Sequence, residues 1–246
     1  MGRVNIGAGT LLAPLPAVMV SVGDMERSNI ITVGWTGILS THPARVYISV
    51  RPERHSHSFL GVGREFVINL TTEALAEATD FSGIYTGAKV DKFEKLGLHK
   101  IPSKSVLAPT VAESPLALEC RICEVMEMGT HDVFIADIVN ATADESIIDA
   151  DGKIRLDRAA LMAYAHGEYY ALGKVLGKFG MSTDKKKRLS ASDASGKKPS
   201  KRASHGVGEK KPFGEREEKT KPDGRDKTGE PFYIGALKYK KRRGGK

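Results

Sequence analysis

Apolar and polar positions along the first seventy residues fall into short β-like runs, each broken by Gly, Pro, Asp or Asn. Leu15–Val22 is rich in apolar and β-branched side chains and is expected to form the first strand, ended by the turn signal Gly23-Asp24. Asn29–Val33 is expected to return as its hairpin partner, and Trp35–Ser40 to continue past a kink at Gly34 until Pro43. In Arg45–Arg51 the apolar Val46, Ile48 and Val50 alternate with Tyr47 and Ser49, the period of a half-buried strand. Pro52 stops that run. His55 or Ser56 is then placed to start a short helix reaching Val62, before another strand over Glu65–Leu70.

The period changes in the middle of the chain. Thr71-Thr72-Glu73 opens a helix with Leu75 and Ala78 on one face, and residues 81–89 read as a glycine-bearing loop. Val90, Phe93 and Leu96 recur at three-residue spacing in a short amphipathic helix ended by Gly97. After a loop over Ile101–Thr110, two long β-rich runs follow, Leu116–Met128 and His131–Thr142, joined by Gly129-Thr130 as a hairpin. Tyr164, His166, Tyr169 and Tyr170 form an aromatic cluster near the end of the patterned region, which Gly173–Phe179 closes. Many strands, few helices and no regular strand–helix alternation predict a mainly β domain, an antiparallel barrel rather than a doubly wound sheet.

Composition changes this picture at the C-terminus. Of 38 Lys+Arg and 30 Asp+Glu, residues 184–246 hold 21 and 9, leaving 17 and 21 in residues 1–183. The tail therefore carries +12 and the domain −4, so the basic balance belongs to the tail. A domain over 1–183 and a low-complexity basic tail over 184–246, too polar to offset its ordering entropy and so expected to be disordered, is the expected organisation. Two cysteines, Cys120 and Cys123, are too few for a disulfide framework and favour a reducing, cytoplasmic setting. The apolar run Leu11–Val22 contains Pro14 and Pro16 and is too short to span a bilayer, so it is read as the first buried strand and no membrane partner is expected.

The candidate chemistry gathers in Arg27–Phe59. A turn rich in small and hydroxylic residues (Thr32, Gly34, Thr36, Gly37) lies near Arg51 and Arg54. Such a set suits a flat polar ring carrying a phosphate tail, since a guanidinium fork matches phosphate oxygens. A helix starting at His55–Ser56 would add backbone donors.

The runs S-N-I-I-T-V-G-W-T-G-I, V-Y-I-S-V-R-P-E-R-H-S, E-F-V-I-N-L-T and V-D-K-F-E-K-L-G-L follow one another in an order and spacing that resembles the flavoredoxin branch of the flavin reductase family, over roughly Leu11 to Phe179. The resemblance implies an antiparallel split β-barrel that binds FMN as a homodimer, with the flavin near the subunit interface. It implies that Asn29, Ile30, Thr32, Trp35 and Thr36 line the ring and ribityl chain. It also implies that Arg51, Arg54 and Ser56 approach the phosphate, with Gly83 and Lys92 close by. Ser49 is a further candidate ligand or an ordinary polar strand residue. No side chain is assigned a catalytic role and no metal is expected, because flavin carries its own redox chemistry. Electrons would arrive from NAD(P)H or a small redox protein.

Each residue also has a plainer reading. Arg51, Arg54 and Lys92 taken alone are solvated surface charges, and Trp35 is core or dimer packing. C-R-I-C matches C-x-x-C, but residues three apart on a strand face opposite ways, so a shared metal or a bridge needs a bulge. A second reading of the whole chain makes the barrel a scaffold whose tail binds nucleic acid or an acidic partner.

Overall fold

A computed structural model describes residues 2–183. The basic tail over 184–246, expected to be disordered and to offer a surface for nucleic acid or an acidic partner, lies outside the described residues. Within the described part, one compact unit runs to Gly173 and a second unit begins at Lys174.

The strands are β1 (Val18–Gly23), β2 (Ser28–Val33), β3 (Thr36–Thr41), β4 (Ala44–Val50) and β5 (Glu65–Asn69). The helices α1 (Ala76–Ile84) and α2 (Lys92–Leu96) follow, then the short strands β6 (Lys100–Ile101) and β7 (Thr110–Val111). The long pair β8 (Leu116–Glu127) and β9 (Asp132–Ala143) and the hairpin β10 (Met162–Ala165) and β11 (Glu168–Ala171) complete the set. Seven strands form one antiparallel sheet in the order β2-β1-β5-β8-β9-β4-β3.

That order dictates a barrel. β2 and β3 are the two edges of the sheet, yet only Gly34 and Trp35 separate them in the chain. Seven strands at about 4.8 Å spacing put the edges of a flat sheet about 29 Å apart. Three Cα–Cα steps reach at most about 11 Å. The sheet must therefore roll until its edges meet; the backbone N–H of Ser49 donates to the Trp35 carbonyl at 2.9 Å and extends the β3–β4 ladder up to that junction.

Alternation supplies the filling. Val18, Val20 and Val22 of β1, Ile31 and Val33 of β2, and Val46, Ile48 and Val50 of β4 all point inward, around Phe66 and Phe134. The opposite face of β1 and β2 sends Met19 and Ile30 outward under Leu75 and Phe93, so the helices cover a second, smaller core. Three polar groups fix the 101–110 segment against the outside of the barrel. Glu119, fully buried on β8, accepts from the backbone N–H groups of Lys104 (3.1 Å) and Ser105 (2.6 Å) and from Asn140 Nδ2 (2.9 Å). Asn69 accepts from the Val111 N–H at 2.9 Å and donates to Ser21 Oγ at 3.0 Å, and Ser21 donates to the Pro109 carbonyl.

Four sequence expectations change here. The segment after Arg54 is a single 3₁₀ turn over His55–Phe59, not a helix to Val62, and no side chain caps it. Ser56 Oγ accepts a hydrogen bond from Asn29 Nδ2 instead. Residues 81–84, expected as loop, belong to α1, because Gly83 lets the helix lie close on β2. A Cβ there would stand 3.3 Å from Thr32 Cβ. The 101–110 loop begins and ends in the short strands β6 and β7. The aromatic cluster is a two-stranded hairpin whose turn residues His166 and Gly167 both have positive φ, 50° and 92°, as a type I′ turn requires. The bulge that C-x-x-C would need does occur, between Ile122 and Glu124, but both cysteines are free: Cys120 is buried in the barrel core and the Cys123 thiol donates to the Ile135 carbonyl. No helix of the described residues is long and apolar enough to cross a membrane.

Candidate functional site

Where β2, the β4 end and α1 meet, two cavities adjoin. One, of about 380 Å³, is lined by cationic and polar groups; the other, of about 210 Å³, has the more apolar walls. Ile31, Arg51 and Arg54 belong to both.

The larger cavity is built for an anion. Asn29 at the start of β2 is buried, and its Nδ2 donates to Ser56 Oγ at 2.7 Å. Lys92 at the start of α2 is only 3 % exposed; its ammonium donates to the carbonyls of Ile30 (2.7 Å) and Ser82 (2.8 Å). An ammonium has three N–H groups, so one remains for a further acceptor. Ser82 also lines the cavity, and its Oγ is buried with no hydrogen-bond partner among the described residues. A buried orphan hydroxyl is costly, and Ser82, like Lys92, is one of the residues lining this cavity. Arg54 Nη1 donates to the Gly83 carbonyl at 3.0 Å, and Arg51 Nη1 pairs with Glu53 at 3.2 Å. Gly87 must be glycine, since a Cβ there would overlap the Asn29 amide.

Burial, and then repulsion from Arg54, pulls the Lys92 pKa down from 10.5 to about 8. Its folded-state pKa lies below its unfolded value, so the unfolded chain holds the proton more tightly between these pH values. The cost of charging Lys92 is fully present below about pH 8 and is relieved as pH rises toward 10.5. Thermal melting of the apoprotein against pH is expected to show wild type gaining on Lys92→Met across this window. Parallel curves would deny the desolvated charge.

The smaller cavity takes Thr32, Gly34 and Trp35 from the β2–β3 junction, Ser49 from β4, His131 from the β8–β9 hairpin and Tyr164 from β10. The Trp35 and His131 rings lie 4.5 Å apart at 37°. Burial, and then the nearby Arg51 charge, holds the His131 pKa below its ordinary value. Thr32 Oγ1 is committed to the Thr79 carbonyl on α1.

Eight of the eleven candidate residues, Asn29, Thr32, Trp35, Ser49, Arg51, Arg54, Ser56 and Lys92, stand on these walls. Three do not. Ile30 points its side chain into the outer core and offers only its carbonyl, to Lys92. The Thr36 hydroxyl donates to the Tyr47 carbonyl at 2.6 Å, across the β3–β4 ladder. Gly83 contributes only the carbonyl that positions Arg54. Sequence reasoning passed over Ile31, Ser82 and Gly87, although the glycine-bearing run 81–89 held two of them. It also missed His131 and Tyr164, which reach the site only through the β4–β9 pairing and the Leu15–Tyr164 bridge.

A family profile described as "Flavin reductase like domain" matches residues 11–173, a span that contains both cavities. The chain belongs to this flavin reductase-like family. Flavoredoxin of Desulfovibrio vulgaris (Miyazaki F) superposes with a TM-score of 0.69 at 32 % identity, covering 74 % of this chain and 100 % of that one. Flavoredoxin from Methanosarcina acetivorans has the same fold, with a TM-score of 0.68 at 22 % identity over 74 % and 100 % of the two chains. An uncharacterized protein of Archaeoglobus fulgidus is 30 % identical over 159 residues, 65 % of this chain and 88 % of its own length. The antiparallel split barrel is thus the fold that this flavin reductase-like chain shares with its structural neighbours.

Proposed function

We propose that the chain is an FMN-binding oxidoreductase of the flavin reductase type, which passes electrons from NAD(P)H or a small redox protein to an acceptor. The observation that carries this reading is the pair of adjoining cavities, one cationic and one more apolar and bordered by the Trp35 and His131 rings, which share Arg51 and Arg54. The residues present fit FMN. Arg51, Arg54, the spare Lys92 donor and the orphan Ser82 hydroxyl would take the phosphate, with Asn29 and Ser56 fixed beside it. Ile31, Trp35, Ser49 and His131 would flank the ring. Bound flavin supplies the hydride and electron chemistry; the protein binds, orients and tunes it. His131, whose pKa burial and then Arg51 hold below its ordinary value, would offer a ring nitrogen beside the flavin.

Ile38 and Leu39 on β3 are exposed, as is part of Trp35 next to the ring cavity. This apolar strip beside the site supports a homodimer, which light scattering on the purified chain tests.

The reading makes a simple optical prediction. Trp35 is the single tryptophan, so its fluorescence should be quenched saturably as FMN is added. The bound flavin's visible bands should then bleach with NADH, NADPH or a reduced electron-carrier protein. A colourless preparation that neither takes up FMN nor loses Trp35 emission would sink the proposal.

A further inference from the structure

Asp91 caps α2 by accepting from the Phe93 and Glu94 N–H groups, and so fixes the backbone of Lys92 at the first turn of that helix. The Lys92 side chain then runs inward, and two carbonyls hold its Nζ, Ile30 of β2 at 2.7 Å and Ser82 of α1 at 2.8 Å. Lys92 has no carboxylate partner among the described residues. The acid that lines its cavity is Glu53, which pairs with Arg51 at 3.2 Å. The charge that acts on Lys92 is the like charge of Arg54. Without its extra proton Nζ has two N–H groups and a lone pair. The two carbonyls can take both N–H groups, so the bonds that hold the side chain survive the loss of its charge. With the pKa pulled down to about 8, about half of Lys92 is free amine at pH 8, against about 0.3 % of a lysine at its ordinary 10.5.

We propose that Lys92 is an acylation site, modified by small acyl phosphates that the cavity holds by their phosphate, and that the modification closes the cavity to other anions. An acyl phosphate carries its electrophilic carbon one oxygen away from phosphorus, so the attacking group must stand beside the phosphate. Arg51 and Arg54 line the same cavity as Lys92, and guanidinium forks match phosphate oxygens both bound and departing. Ser82 lines it too, and its buried, unpartnered hydroxyl is a donor for the acyl carbonyl oxygen. The Nζ lone pair forms a bond to the acyl carbon. The C–O bond to the phosphate breaks, its electron pair leaves with the phosphate oxygen, and the proton that Nζ sheds goes to that phosphate. The amide formed is uncharged and has one N–H in place of three. It satisfies only one of the two carbonyls and no longer attracts an anion.

The test is peptide mass spectrometry of the flavin-free full chain after incubation with acetyl phosphate at pH 8. Lys92 is expected to gain its acetyl group at least about tenfold faster than the exposed Lys89 and Lys95. Inorganic phosphate should slow the reaction at Lys92 and leave the other two unchanged, and Arg51→Ala/Arg54→Ala should abolish the preference. The acetylated protein should bind FMN at least about tenfold more weakly, a readout that rests on the flavin reading above. Lys92 modified no faster than Lys89 and Lys95 overturns the inference, as does a Lys92 rate that inorganic phosphate does not change. Complete acetylation with wild-type FMN affinity overturns the closing of the cavity. If the unmodified chain does not bind FMN, the flavin reading falls, and the acetylation rates alone decide this inference.

Discussion

Replacing Arg51 and Arg54 together by alanine is expected to weaken FMN binding roughly 30- to 150-fold, from about 1–1.5 kcal/mol lost at each partly solvated guanidinium. Riboflavin, which has no phosphate, should lose less than about threefold. The contrast follows from the geometry. Both arginines are anchored at one end, Arg51 by Glu53 and Arg54 by the Gly83 carbonyl, and both border the cavity that holds the Lys92 ammonium and the orphan Ser82 hydroxyl. The domain carrying them has a net charge of −4. Attraction for a phosphate is therefore local, and adding salt should narrow the gap between FMN and riboflavin. Equal weakening of the two ligands would remove the arginines from the phosphate end and assign them to holding the loop.

The second large effect concerns stability. Glu119→Ala is expected to lower the unfolding free energy by about 3–5 kcal/mol, since it strands two backbone N–H groups and the Asn140 amide, each costing about 1–3 kcal/mol when unpaired. Against a typical total of about 5–15 kcal/mol this is a large fraction. Glu119→Gln keeps one acceptor oxygen and should cost less. Urea unfolding reads both. FMN affinity of the folded Glu119→Gln protein should match wild type, because Glu119 lies on neither cavity wall. A loss below about 1 kcal/mol for the alanine variant would mean that the Asn69 and Ser21 anchors alone hold the 101–110 segment.

Much of the barrel was legible because its signals are local. The alternation of Val46, Ile48 and Val50 predicts a buried face, and the structure buries all three. Gly129-Thr130 lies in the connection between the two longest strands. What went astray was set by contacts across the fold. Ser56 looked like a helix cap, since Ser favours that role locally, but Asn29, twenty-seven residues earlier, claims its hydroxyl. Gly83 looked like a loop glycine, yet it is a helix residue thinned to fit Thr32. Ile31, not the expected Ile30, borders the site. A one-residue step on a strand changes the face, and only the pairing of β2 with β1 and its cover by α2 decides which face is which.

The sequence by itself determined the strand periods, the charge split between domain and tail, and the arginines after the fourth strand, because composition and two-residue alternation need no partner to be read. Only the tertiary structure decided that Lys92 is a buried ammonium with one donor to spare, that Ser82 is an orphan, and that His131 stands beside Trp35. Burial and the satisfaction of hydrogen bonds belong to pairs of groups distant in the chain, and they come into being only when the rolled sheet brings its two edges together.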